Sequence, residues 1–577
     1  MKFDLVIRNG EVHDGLGNPP VHADIGIVDG VIHTIGRIDG PAAREIDAEG
    51  CLVTPGFVDI HTHYDGQASW DSRLAPSSFH GVTTVVMGNC GVGFAPVRQA
   101  DRDTLIEVME GIEDIPGVAL HEGLSWNWET FPDYLDALDE RRFDMDVAAQ
   151  LPHAALRLYV MGERGARLEP ATPEDIVRMR CLVGEAVRAG AIGFSTSRSS
   201  NHRSITGDPT PSLRAEEAEL TGIALGLADA GAGVMQFISD FSEEQGDDFA
   251  MISRVVRASG RPASISVAQR YSSPGNWKVL LGRMSEARAD GIDIRAQVAP
   301  RPIGVMLGLQ TSRGPFQNCP SYREIANLPL QDIVSTMRRP DFRARLLGEA
   351  RQWPGWGDAG ASTPLDYGRI FPLGNPPDYE PSPERSIKAM ALRQGRDEVE
   401  VAYDLLLEDG GRALLLMPFA NYAGESLETV REMLAHERTM LGLGDGGAHV
   451  GVISDASFTT FMLTHWGRDR ASGRFELPFL IRKMTSMTAE AVGLRDRGVI
   501  ARGMKADLNV IDLDALAIGV PRIVRDLPAG GKRLLQDSKG YRATIVSGVP
   551  TYLDGEHTGE LPGRLLRGGR DRHRSLQ

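Results

Sequence analysis

The sequence predicts an α/β protein: a parallel (β/α)8 or TIM barrel joined to a small β-sandwich built from both chain termini. Three observations lead there. About eight short apolar runs alternate with helix-like stretches between residues 56 and 445, the rhythm of a parallel barrel. Segments patterned as short strands flank that region on both sides. No GxGxxG opens a helix after the first run, which weakens the open doubly wound sheet as the competing architecture.

Bulk properties narrow the class. A chain of 577 residues is too long for one simple core and suits two to four domains or one large barrel with additions. Sixty-two Lys and Arg against 78 Asp and Glu leave a net charge of -16. That balance argues against nucleic acid or an anionic membrane as partner, and leaves a small-molecule substrate, including one that carries a carboxylate. Four cysteines, Cys51, Cys90, Cys181 and Cys319, form no CxxC pair and suit a reducing compartment. Asp4 and Arg8 interrupt any secretion signal, and no run reaches the ~20 apolar residues needed to span a bilayer. A cytoplasmic protein is expected, and a homo-oligomer is left open.

Taken in order, residues 1–55 read as strands. Phe3-Asp-Leu-Val-Ile-Arg is expected to end at a turn, Asn9-Gly10. Ala23-Asp-Ile-Gly-Ile-Val ends at Asp29-Gly30, directly before Val31-Ile-His-Thr-Ile, and Asp-Gly between apolar runs signals a hairpin. The barrel is expected over residues 56–497. Its strand candidates are residues 56–60, Val82-Thr-Thr-Val-Val-Met, Asp146-Val-Ala-Ala-Gln-Leu, Ala191-Ile-Gly-Phe-Ser, Gly233-Val-Met-Gln-Phe-Ile, Ala263-Ser-Ile-Ser-Val-Ala, Ile292-Asp-Ile-Arg-Ala-Gln-Val and Thr439-Met-Leu-Gly-Leu-Gly-Asp. Helices are expected over residues 173–189 and 215–230. Residues 310–435 break the rhythm with stretches such as Gln352-Trp-Pro-Gly-Trp-Gly and Pro372-Leu-Gly-Asn-Pro-Pro-Asp, and read as an insertion or lid over the barrel mouth. Residues 498–577 return to strands at Ala506-Asp-Leu-Asn-Val-Ile-Asp and Ala543-Thr-Ile-Val-Ser-Gly, and end in an Arg- and Gly-rich tail expected to be loosely held.

The chemistry concentrates at strand ends. Thr54-Pro-Gly-Phe-Val-Asp-Ile-His-Thr-His-Tyr-Asp65 closes an apolar run with His61 and His63, whose alternate spacing puts both imidazoles on one face. Two such imidazoles make half of a tetrahedral metal site. The second run ends in Gly88-Asn-Cys-Gly, placing Cys90 in a glycine-flanked turn, either as a thiolate ligand suited to Zn²⁺ or as a small core residue. The last run ends in Asp445-Gly-Gly-Ala-His449. Asp445 can bind metal and take a proton from an attacking water, whereas His449 either serves the site or packs in the loop.

With Gly193-Phe-Ser-Thr-Ser-Arg198 and Gly503-Met-Lys-Ala-Asp-Leu-Asn-Val added, these segments resemble the amidohydrolase superfamily, in its D-aminoacylase branch, over nearly the whole chain. The resemblance implies a distorted (β/α)8 barrel, a β-sandwich from both termini, and a divalent metal, usually zinc. It also implies two histidines on middle strands. This chain has none between His202 and His436, and no lysine between Lys2 and Lys278. Gln236, Gln269 and Gln297 stand there instead, and glutamine carbonyls are poor zinc ligands beside imidazole. The expectation is therefore one divalent ion, Zn²⁺ or another, on His61, His63 and Asp445, with Cys90 as a fourth ligand. Loss of the metal site is the sceptical reading.

Substrate contacts are expected from Arg198, His202, His153, Gln236, Gln269, Tyr64 and His449, with Arg203, Arg270 and Arg301 as further candidates by placement. Tyr64 and Asp65 follow the ligand pair and would orient it. The expected reaction is metal-assisted hydrolysis of a linear, non-peptide amide, an N-acyl amino acid above all, with Asp445 as general base and acid. Hydrolysis of a cyclic amide, lactone or other ester, or a non-catalytic protein with a decayed site, are the alternatives.

Overall fold

Eight strands follow one another around a parallel sheet: β1 (Phe57–Asp59), β2 (Val82–Met87), β3 (Asp146–Pro152), β4 (Gly193–Arg198), β5 (Val234–Ser239), β6 (Ala263–Ser266), β7 (Ile294–Val298) and β8 (Thr439–Leu441). The computed structural model describes residues 2–242, 246–352 and 365–568. Each strand pairs in parallel with the next. A parallel bridge between Thr62 and Gly446 joins the end of the first strand to the end of the last. His63 N–H donates to Gly446 O at 2.7 Å and Asp445 N–H to His61 O at 2.9 Å. The barrel therefore closes through the residues expected to carry the chemistry.

The strands read as continuous apolar runs because both faces are covered. All six residues of β2 and all seven of β3 are buried. Helix Pro173–Ala189 starts where expected, with Thr172 and Asp175 forming a reciprocal capping box and a proline in its first turn, and it stops at Gly190. Met179, Leu182, Val183, Ala186 and Val187 form its buried stripe. The following helix spans Glu217–Ala230, two residues shorter than expected at its start.

Between β7 and β8 the chain builds a body of its own. Strand Ile303–Leu307 pairs antiparallel with Leu415–Ala420, which also pairs with Phe371–Pro372. Helices Pro320–Ile325, Leu330–Met337, Pro340–Gln352 and Glu398–Leu406 pack around Phe316, Met337, Leu346, Tyr403 and Leu406, a separate apolar core. The stretch 353–357, with its two tryptophans, lies outside the described residues.

The two termini meet in one nine-stranded sheet. Leu52–Pro55 is the seam, parallel to Phe3–Val12 and antiparallel to Leu508–Ile511. Leu5, Ile7, Ile25 and Val53 share a core with Leu508, Val510, Ala543 and Ile545. The Asp29-Gly30 hairpin forms as expected, with φ of 49° and 72°. Asn9-Gly10 is corrected: the strand runs through to Val12, and the positive φ of Asn9, 60°, marks a register shift rather than a turn. Gly10 is needed there, because a Cβ would stand 2.4 Å from Val53 Cγ2.

A buried charge network fastens this sheet to the barrel's N-terminal end. Arg497 Nη1 donates to Asp146 Oδ2 at 2.6 Å and to Thr84 Oγ1 at 2.9 Å, and Lys505 stands 3.1 Å from Asp507. Charges at that end of a barrel serve stability rather than chemistry. The expected loose tail is held as far as residue 568: Leu565 bridges Val147, and Arg567 pairs with Asp136 at 2.6 Å. Residues 569–577 lie outside the described residues. Among the described residues, no helix is long and apolar enough to cross a membrane.

Candidate metal centre

The closing bridge keeps the chain extended past β1, so His61 and His63 project together, with ring centroids 5.5 Å apart. Cys90 reaches them from the turn after β2. Its own φ is 55°, and Gly88 and Gly91 flank it with φ of 79° and 70°. Gly88 has no room for a side chain, since a Cβ would lie 2.1 Å from Gln150 O. The turn brings Cys90 Sγ to 3.3 Å from His61 Nε2. Ligand atoms of His61, His63 and Cys90 all lie within 4.8 Å of one another, and all three residues are buried.

Asp445 completes the ring from the end of β8. Its Oδ1 is 3.4 Å from His61 Nε2 and 3.9 Å from His63 Nε2. Asp445 itself has φ of 47°, held by the backbone bond to His61. Gly446 must be glycine, because a Cβ would stand 2.4 Å from Ser77 Oγ.

Two residues that the sequence reading did not assign to these roles orient the imidazoles. Gln297 on β7 presents its carbonyl to His61 Nδ1 at 2.6 Å while its Nε2 donates to Ser264 Oγ at 2.9 Å. That places the imidazole proton on Nδ1 and leaves the Nε2 lone pair facing Cys90 and Asp445. Glu113, the last residue of helix Arg102–Glu113, stands with Oε1 3.2 Å from His63 Nδ1 and Oε2 3.6 Å from His449 Nε2. A carboxyl at this distance can orient a ligating histidine, although His63 Nδ1 makes no hydrogen bond among the described residues. The available signal was weak: a helical Glu set between Ile112 and Ile115.

Burial governs the electrostatics. It pushes the His61, His202 and His449 imidazoles down to about 4. His63 is driven well below the usual imidazole range by burial, then by His61, His449 and His202 beside it. All four are neutral and able to ligate. Asp59, Asp65 and Asp445 are pushed up to about 7, chiefly by burial. Glu113 is driven well above its usual range by burial, Asp445 and Asp65, and the Cys90 thiol by burial, Glu113 and Asp445. Crowded acids, neutral imidazoles and a thiol form a donor set that a divalent cation would relieve and deprotonate. The residues fit such an ion.

The remaining expected contacts divide. His202 Nδ1 lies 2.8 Å from Ser197 Oγ, and His449 Nε2 lies 3.6 Å from Glu113 Oε2. Gln236 lies against the Cys90 turn, accepting the Cys90 N–H at 3.0 Å. Five others have their polar atoms engaged within the protein. Arg198 pairs with Asp248 at 3.0 Å and donates to Ala215 O at 2.6 Å. His153 uses both ring nitrogens, on Thr196 Oγ1 and Glu219 Oε1, each at 2.8 Å. Gln269 binds Thr429 Oγ1 and Ala423 N–H, joining the end of β6 to the inserted body. The Tyr64 hydroxyl donates to Ser77 Oγ at 2.8 Å, supporting the ligand loop. Arg270 pairs with Asp240 at 3.0 Å. Of the further arginines, Arg203 donates to Gly207 O at 2.9 Å, and Arg301 is fully buried with its guanidinium 3.7 Å from the Tyr379 ring centroid.

The chain has recognisable relatives. The chain is 28% identical over 570 residues to a D-aminoacylase from Alcaligenes xylosoxydans xylosoxydans, covering 98% of this chain and 97% of that one. It is 29% identical over 582 residues to an N-acyl-D-glutamate deacylase from the same organism, covering 98% and 97%. A solved D-aminoacylase with a binuclear metal centre superposes with a TM-score of 0.65 at 25% identity, over 98% of this chain and 100% of the other. A sequence model of the amidohydrolase family matches residues 44–552, and the chain belongs to that family.

Proposed function

We propose that this chain is a metal-dependent hydrolase of N-acyl amino acids. One divalent ion, zinc in the first instance, would be held by His61, His63, Cys90 and Asp445. The observation that carries this reading is the convergence of four donor side chains from three strand ends: three within 4.8 Å of one another, and Asp445 Oδ1 3.4 Å from His61. Full-length similarity to deacylases of N-acyl-D-amino acids supports the substrate class. A single ion is favoured because the middle strands offer no further imidazole. The Gln236 carbonyl is taken by Cys90 N–H and the Gln269 amide by the inserted body.

When bound, the ion supplies Lewis acidity to the substrate carbonyl and acidifies the attacking water. Asp445 accepts one proton from that water as the new C–O bond forms, and returns it to the nitrogen as the C–N bond breaks. Burial pushes its carboxyl up to about 7, and a bound cation would draw it back down, leaving the ionised form that can take a proton. Gln297 holds the His61 imidazole in the tautomer that leaves its Nε2 free, and Glu113 lies 3.2 Å from His63 Nδ1. His202, neutral and next to the ligand pair, is placed to donate to substrate oxygen.

Purified protein with measured metal content should hydrolyse N-acyl-D-amino acids in a screen that includes N-acyl-L-amino acids, cyclic amides and lactones. Turnover confined to cyclic amides or lactones would replace this substrate class while keeping the site.

A further inference from the structure

We propose that Gln236 is a catalytic residue of this site: its side-chain N–H₂ donates a hydrogen bond to the carbonyl oxygen of the scissile amide and to the oxyanion that oxygen becomes. This rests on the hydrolase reading above.

Gln236 is the third residue of β5 and lies in register with Ser195 on β4 and Ser264 on β6. Both serines face the site's loops. Ser195 Oγ accepts the Gly91 N–H at 2.9 Å, and Ser264 Oγ accepts from Gln297, the residue behind His61. Gln236 thus belongs to the same inward-pointing layer. Its Oε1 accepts the Cys90 N–H at 3.0 Å. A backbone N–H can only donate, so the amide's orientation is settled: oxygen towards Cys90, nitrogen away from it.

The nitrogen then has nothing to bind. Gln236 is 1% exposed, and Nε2 has no hydrogen-bond partner among the described residues. Buried donors are almost always paired, and an orphan beside a ligand set marks a place where an acceptor arrives. An amide nitrogen has no lone pair to offer a cation, so what arrives there is an acceptor and not a metal ion. The reaction delivers one. Water oxygen bonds to the carbonyl carbon, and the C=O electron pair moves onto oxygen. One water proton goes to Asp445 and then to the departing nitrogen, and the C–N bond breaks. Gln236 transfers no proton; its hydrogen bond strengthens as charge develops on the oxygen.

Two variants test this. Gln236→Glu, assayed above the pH at which its carboxyl ionises, keeps an acceptor for the Cys90 N–H and removes the donor, while Gln236→Met removes both without adding charge. The substrate is an N-acyl amino acid that the wild type hydrolyses. Metal content is measured beside kcat and KM, and Gln236→Met is titrated with a phosphonate analogue of the tetrahedral adduct. The expected result is a fall in kcat of about 10²–10³-fold in both variants, with KM little changed. The phosphonate should weaken by a comparable factor, and the ion should remain in Gln236→Glu. Wild-type kcat in Gln236→Glu overturns the proposal, and so does loss of its ion, because Gln236 would then serve only Cys90. Should Gln236→Glu fail to fold, the kcat-against-KM split and phosphonate affinity of Gln236→Met decide. A wild-type chain with no activity on any N-acyl amino acid defeats the hydrolase reading itself, before the variants are compared.

Discussion

Asp445 and His61 are joined twice: the Asp445 N–H donates to the His61 carbonyl at 2.9 Å, and the Asp445 carboxylate stands 3.4 Å from His61 Nε2. The first contact helps close the barrel, and the second builds the site. Replacing Asp445 with Asn keeps the backbone bond and the shape. Unfolding temperature should move by less than about 2 °C. Activity should fall about 10²–10⁴-fold, as expected for loss of a general base. Thermal unfolding beside steady-state kinetics checks both halves, and undiminished turnover would remove Asp445 from the mechanism.

Glu113 gives a second expectation. Its carboxylate backs His63 at 3.2 Å from a position 1% exposed. Glu113→Gln should weaken metal retention about 10–100-fold in a chelator competition, with the fold intact. Unchanged retention would reduce Glu113 to a helix terminus.

Arg198 should behave as a structural residue. It pairs with Asp248, a carboxylate 2% exposed, at 3.0 Å. Arg198→Ala strands that buried charge and should cost about 3 kcal/mol in urea unfolding, while KM stays near the wild-type value. A large rise in KM without loss of stability would return Arg198 to the substrate.

Asp144 supplies a pH dependence away from the metal centre. It accepts the Leu74 N–H and the Tyr552 hydroxyl, each at 3.0 Å, linking the barrel to the terminal sheet. Burial pushes its carboxyl from 3.8 up to about 6. Between those values the folded state holds a proton that the unfolded chain has released, so this group's contribution to stability falls as pH rises from about 4 to 6. A shift of that size is worth roughly 3 kcal/mol. The stability difference between wild type and Asp144→Asn, measured by urea unfolding, should move against the wild type across that window. A flat difference would show that Asp144 titrates normally.

Much of this was legible in the sequence, for physical reasons. The barrel strands are buried on both faces, so they appear as unbroken apolar runs, and β2 lies on the residues expected of it. His61 and His63 are spaced by the strand repeat, and Asp445 stands among glycines. The supporting residues were harder to see because their roles depend on distant partners. Gln297 meets His61 across 236 residues of chain, and Arg198 meets Asp248 across 50. A helical Glu such as Glu113 looks the same in sequence whether it faces water or a histidine. Asn9-Gly10 carries a turn's composition, yet the pull of pairing with Val21–Val28 absorbs it as a bulge.

The His61–His63–Cys90–Asp445 cluster is expected to hold one divalent ion. Metal analysis of the purified chain beside a His61→Ala, His63→Ala double variant tests it most directly, with circular dichroism to confirm that both are folded. One ion per wild-type chain and none in the folded double variant is the expected result. Two ions in the wild type, or an ion that survives the double substitution, would contradict it.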